Sequence, residues 1–136
     1  MQTKSFFTTL LALLPAIQAF EFTGPDPSLD LDFRKEITIT WTGQVGEDVS
    51  PKFDLEWYSE PDELHSIGAE ITHNVADVFL SDRQYKLKFG KNTKDMLRPF
   101  AKKLAADNLF SFRAIFNDGD KDVTYYSQNY TVIGLH

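Results

Sequence analysis

The chain is expected to fold as an all-β, two-layer sandwich of antiparallel strands with one short inserted helix. Three features of the sequence predict this. Apolar and polar residues alternate with period two along most segments, turn-forming residues punctuate those segments at short intervals, and one stretch changes to helical spacing. Alternation of this kind marks antiparallel strands that bury one face and leave the other in water.

The strands follow in chain order. LDLDF is a weak candidate, with Leu29, Leu31 and Phe33 on one face. In ITITW, Ile37, Ile39 and Trp41 share a face opposite Thr38, Thr40 and Thr42. FDLEWY sets Phe53, Leu55 and Trp57 against Asp54 and Glu56, so that the two tryptophans are expected to fill the core from neighbouring strands. Weaker segments run from Ile67 to Val75 and from Asp77 to Leu80. YKLKF sets Tyr85, Leu87 and Phe89 against Lys86 and Lys88, and LFSFRAIF aligns Phe110, Phe112, Ala114 and Phe116. Turns are expected at Gly24-Pro25-Asp26-Pro27, Gly43 to Gly46, Ser59-Glu60-Pro61-Asp62 and Asn117-Asp118-Gly119-Asp120. Between Met96 and Leu104, the residues Leu97, Phe100, Ala101 and Leu104 fall on one helical face. Proline is tolerated in a first helical turn, so the helix is expected to start near Pro99 and end before Asn108.

The last strand, YYSQNYTVIG from Tyr125 to Gly134, carries the glycosylation triplet Asn129-Tyr130-Thr131. Strict alternation sends Tyr126, Gln128, Tyr130 and Val132 one way and Tyr125, Ser127, Asn129, Thr131 and Ile133 the other. Tyr130 and Val132 are the natural core pair, which leaves Asn129 and Thr131 in solvent.

At the other end, MQTKSFFTTLLALLPAIQA has Lys4, an apolar run from Phe6 to Leu14, Pro15 and the small Ala19. This is the layout of a secretory signal peptide spanning residues 1–19, with cleavage after Ala19 and one domain over residues 20–136. Loss of Lys4 takes the net charge from −6 to about −7. An acidic surface repels phosphate backbones and anionic lipid, so neither nucleic acid nor a membrane is the expected partner. No later segment reads as a membrane anchor. The chain has no cysteine, which removes disulfide staples, thiol catalysis and thiolate metal sites, and puts the burden of the core on twelve Phe, five Tyr and two Trp.

The order of the motifs ITITWT, FDLEWYS, ITHNVA, YKLKF, LAADNLFSFRAIFND and YSQNYTV resembles the N-terminal immunoglobulin-like domain of fungal cell-wall synthesis proteins of the yeast killer-toxin-resistance type, a domain also found in a Ser/Thr-rich GPI-anchored fungal family. Ile37 to Thr42 and Tyr126 to Val132 match best. The family's S/T-N-V-P turn reads Thr72-His73-Asn74-Val75-Ala76 here, without the proline, Met96–Asp107 replaces a shorter strand entry, and no Ser/Thr-rich tail follows Val132. The resemblance implies an immunoglobulin-like sandwich, secreted and associated with cell wall or matrix, and carries over no catalytic residues.

Candidate chemistry is sparse. His65, His73 and His136 lack the spacing of a metal site. Asp30 and Asp32 share a strand face and Glu60, Asp62 and Glu63 cluster in a loop, where charged groups are ordinarily just solvated. The run Asn117 to Asp122 suits a hairpin turn better than a calcium loop. Sugar binding is the more specific expectation, because aromatic faces stack on pyranose rings. Tyr58, opposite in phase to Trp57, and the pair Tyr125 and Tyr126 are the candidate binding residues. The sequence therefore points to a non-enzymatic protein with no cofactor that acts at the cell wall or extracellular matrix, its partner a cell-wall polysaccharide or an extracellular protein. The alternatives are an effector that binds an extracellular host or competitor protein and, third, an extracellular hydrolase.

Overall fold

Strand β4, Lys52–Asp62, shows the alternation at work. Phe53, Leu55, Trp57, Ser59 and Pro61 are buried, while Lys52, Asp54 and Glu60 are exposed. A computed structural model describes residues 17–45, 52–72, 78–79, 82–118 and 121–135. Within them β4 is the centre of the larger sheet. It pairs with β5 (His65–Glu70) on one side and β8 (Phe110–Asp118) on the other, and β9 (Lys121–Tyr126) follows β8. The first residues of β4 also pair with β6 (Val78–Phe79). The opposing sheet runs β1 (Ile17–Gly24), β3 (Ile37–Val45), β7 (Gln84–Leu87), all antiparallel. A small parallel pair, β2 (Leu31–Asp32) with β10 (Val132–Ile133), makes a third, two-stranded sheet.

The protein is thus an all-β sandwich with a helical insertion, and its core is aromatic. Trp41 from β3 meets Phe53 from β4 edge to face at 5.1 Å. Phe20 from β1 touches Phe53, Phe116 and Tyr125 and closes one side of the sandwich. Trp57 stacks on Phe110 at 5.6 Å, and Phe33 stacks on Phe89 at 4.2 Å. Trp41 and Trp57 are both 1% exposed. Their strands are neighbours in sequence but belong to opposite sheets, so the two rings enter the core from opposite walls.

Several expected boundaries move. The helix starts earlier than Pro99: α1 spans Lys91–Leu97, a tight turn Arg98–Phe100 holds the proline, and α2 spans Ala101–Ala106. Pro99 lacks an N–H and crowds the preceding turn, which splits one helix into two. The expected apolar face survives the split, with Leu97 and Leu104 both fully buried and α2 packed on β10. LDLDF contributes only Leu31 and Asp32 as strand, and Leu29 is 64% exposed. Gly43 and Gln44 are strand rather than turn, since Gln44 pairs with Gln18; residue 46 lies outside the described residues. Likewise β4 runs through Pro61, and the reversal falls at 63–64. A register shift between Ser59 and Asp62 accommodates the proline, as bulges do. The Asn117 to Asp122 turn is a hairpin as expected, with Asp118 paired to Lys121. Asn117 Nδ2 donates to Asp122 Oδ1 at 3.3 Å, so these two close on each other.

β1 begins at Ile17, before the expected cleavage point; residues 1–16 lie outside the described ones. From Phe20 onward the strand retains its pairing of Glu21 with Thr42, Phe22 with Trp41 and Gly24 with Thr40. Where β5 ends, Thr72 Oγ1 accepts the Leu55 N–H at 3.0 Å, a side chain continuing the backbone ladder. Ser59, by contrast, is fully buried and its Oγ has no hydrogen-bond partner. An unmet buried hydroxyl costs stability, so Ser59→Ala is expected to leave stability unchanged or raise it by up to about 1 kcal/mol. A clear fall in melting temperature on this substitution would contradict the orphan hydroxyl.

Candidate functional site

The outward face of the larger sheet is fixed by register. Glu56 on β4 lies opposite Glu70 on β5 and opposite Arg113 on β8, and Arg113 lies opposite Tyr126 on β9. One row of side chains therefore crosses four strands as Glu70, Glu56, Arg113, Tyr126. In the next row Tyr58 lies between Gly68 and Ser111. A Cβ on Gly68 would stand 3.0 Å from Trp57 O and 3.4 Å from Tyr58 Cδ1, so the Tyr58 ring lies against β5 at this glycine. The Tyr58 hydroxyl donates to Glu60 Oε1 at 2.5 Å and lies 3.1 Å from Ser66 Oγ.

The guanidinium of Arg113 sits 3.7 Å from the centroid of the Tyr58 ring and 5.4 Å from that of Tyr126. This is cation–π geometry, and diagonal cross-strand neighbours are within reach of such long side chains. Arg113 Nε is buried without a hydrogen-bond partner, so ring contact stands in for the bond it lacks. Burial raises the Glu56 carboxyl above the ordinary range, the charge of Glu70 adds to the rise, and Arg113 opposes it.

Two of the three expected binding residues are thus brought together and one is not. Tyr58 and Tyr126 share this face with Arg113 between them, whereas Tyr125 turns inward. Its ring packs on Phe20 at 5.1 Å and Phe116 at 5.8 Å, and burial raises its phenol. Tyr58 is also not a free platform, because Arg113 covers it. Tyr126, 64% exposed, is the open ring.

The reason Tyr125 is inside lies in the YYSQNYTVIG segment, which is not one strand. Arg113 faces Tyr126 and the Ser127 N–H donates to Phe112 O at 2.9 Å, but the next paired residues are Phe110 and Tyr130. Two steps along β8 meet three along its partner. This one-residue bulge flips the phase, so Tyr125 and Tyr130 both face the core although five residues apart. Ser127 supports the bulge: its Oγ accepts the Phe112 N–H at 2.8 Å and donates to Gln128 O at 2.7 Å. Beyond it Tyr130 and Val132 are buried and Asn129 is exposed, as the alternation of the segment predicts. Thr131, half-buried, donates its hydroxyl to Asn108 Oδ1 at 2.5 Å.

The other candidate groups have local partners. Asp32 accepts from Arg34 Nε at 2.9 Å, Nη2 at 2.8 Å and N at 3.0 Å, and these bonds, the side-chain ones first, hold its carboxyl far below the usual range. Asp30 is exposed and outside any strand, so the two do not share a strand face. His65 Nδ1 is 2.7 Å from Asp62 Oδ1, and that contact lowers the Asp62 carboxyl. His73 and His136 lie outside the described residues. Among the described residues no group of three or more His, Asp or Glu is placed to hold a metal ion, and no helix is long and apolar enough to cross a membrane.

No family model, characterised protein or solved structure matches the chain. The face itself therefore carries the functional argument. Phase alone exposes Tyr58, opposite to Trp57, but puts Tyr126 on the side of the buried Tyr130, and only the bulge brings it out; Arg113, Glu56 and Glu70 were missed because only register sets them beside the rings.

Proposed function

We propose that the protein is a secreted, non-enzymatic immunoglobulin-like sandwich that binds glycan at the fungal cell wall or extracellular matrix. Its signal peptide would be residues 1–19 and its own glycan would sit on Asn129. The observation that carries this reading is the open Tyr126 ring beside a guanidinium that lies over the Tyr58 ring, 3.7 Å from its centroid. A sheet face with an exposed aromatic and polar neighbours suits the surface of an extended polysaccharide, whose C–H faces stack on rings and whose hydroxyls pair with carboxylates and guanidinium. The edge strand β5, with Leu64 of its hairpin 89% exposed, supports the rival reading of an effector that docks an extracellular protein.

Co-sedimentation with insoluble β-glucan, chitin and mannan tests the proposal. At least one should retain the protein, and Tyr126→Ala should weaken retention by about fivefold to tenfold, the weight of one aromatic contact of ~1 kcal/mol. No soluble sugar should be released. Retention by none of them, or retention indifferent to Tyr126, would leave the glycan reading without support; turnover abolished at Asp30 or Asp32 would make the protein a hydrolase.

A further inference from the structure

We infer that the open side of the sandwich is a second ligand site, a groove that takes one acidic sugar ring, a uronate. Its position is set by the two sheets. On one side Phe20 of β1 reaches Phe116 and Tyr125 and closes the gap between them. On the other, the edge strands β5 and β7 leave a groove of about 270 Å³, three strands away from Tyr126 on β9. Half-buried Ala69 and Ile71 form one wall, half-buried Tyr85 and Leu87 the other, and the buried Trp57 lies at the bottom. Sites for drug-sized ligands measure ~300–1,000 Å³, so this groove suits a single ring rather than an oligomer. Its apolar walls match the C–H faces of a pyranose, which pack well on aromatic side chains.

The polar groups at the rim decide the class of ring. Tyr85, Thr93 and Lys88 line the groove, and none of their side chains has a hydrogen-bond or ion-pair partner among the described residues. Two hydroxyls and an ammonium are therefore available to a ligand with hydroxyls of its own and one negative charge. The surrounding charge favours the same ligand. Eight of the fourteen Lys and Arg lie between Arg83 and Lys103 with Asp95 as the one acid, so this segment is basic within a chain of net charge −6. Asp95 is itself paired with Lys91 and Arg98. Glu70 lines the opposite wall and has an interaction of its own, so it directs the ligand's carboxylate to the Lys88 side. A phosphorylated sugar would bring about −1.5 to −2 charges to a single ammonium. A neutral sugar would gain nothing from Lys88.

The test is a binding titration of the intact protein at about pH 5.5, where carboxylates are ionised. The probes are galacturonic acid trimer, its methyl ester and galacturonic acid trimer's neutral counterpart from galactose, with polyglutamate as the charge control. The acid should bind at least about fivefold tighter than the ester or the neutral sugar, and added salt should erode that preference. Lys88→Gln should abolish the preference, and Tyr85→Phe should weaken acid and ester alike by about twofold to threefold. Lys102→Gln combined with Lys103→Gln removes two charges from the same basic segment outside the groove and should leave the preference intact. Tyr126→Ala should also leave it intact, so this site and the Tyr126 face stand or fall separately. Thermal melts of each variant confirm the fold. Equal affinity for acid and ester, or binding of none of the sugars, would overturn the uronate site. Polyglutamate binding as tightly as the acid, or loss of the preference at Lys102 and Lys103, would overturn it too, because a diffuse positive field would then suffice.

Discussion

Trp41→Ala is expected to destabilise the protein by about 3–5 kcal/mol, the usual cost of truncating a large buried aromatic. Trp41 is 1% exposed in the middle strand of its sheet, beside Ile39 on the same buried face and edge-on to Phe53 at 5.1 Å across the sandwich. Its removal takes away a contact that couples the two sheets, and the surrounding aromatics are too rigid to collapse into the gap. Domains of this size are stable by about 5–15 kcal/mol, so the variant would lose a large share of its folding free energy. The melting temperature should fall by more than about 10 °C. A variant that melts with the parent protein would show that Trp41 does not join the sheets.

Tyr130→Ala and Asn129→Gln are adjacent substitutions with opposite expected outcomes. Tyr130 is 1% exposed, packs on Phe112 at 5.7 Å, and donates its hydroxyl to Pro25 O at 2.7 Å, a tie between segments 105 residues apart. Its truncation should cost about 3–5 kcal/mol. Asn129 is exposed, so Asn129→Gln should change stability by no more than about 0.5 kcal/mol while removing the glycan proposed there. Mass spectrometry of the chain from its native source and melts of both variants read the two effects, and a tolerant Tyr130 would refute the inward placement. Tyr130 also sets an alkaline limit. Burial, and then the charge of Asp26, push its phenol up to about 12. Because the folded value lies above the unfolded one of about 10, this contribution is present below pH ~10 and is lost as pH rises through ~12. Tyr130→Phe should remove that part of the alkaline decline at the cost of one hydrogen bond, about 1 kcal/mol.

Much of the sandwich was legible in the sequence because its strands alternate cleanly. Ile37, Ile39 and Trp41, Phe53, Leu55 and Trp57, and Phe110, Phe112, Ala114 and Phe116 are buried as their phase requires. Burial on one face writes a local signal of period two, and no tertiary knowledge is needed to read it. The helical insertion was legible as a face, through Leu97 and Leu104, but not as two helices. A proline in a helical pattern reads equally well as a first-turn residue or as a break, and packing of the flanking turns decides which.

Composition and pattern alone determined that the core is aromatic and free of disulfides, that strands dominate, and that Tyr130 and Asn129 point to opposite sides. Tertiary structure alone decided which strands are neighbours. It placed Trp41 and Trp57 in opposite sheets, set Glu70, Glu56, Arg113 and Tyr126 in one row, and used a one-residue bulge at Ser127 to turn Tyr125 inward. The physical reason is that alternation fixes the phase of a residue within its own strand. Pairing partner, register and bulges arise between strands, from hydrogen bonds such as that of Phe112 N–H to Ser127 Oγ, and a single inserted residue reverses every phase beyond it.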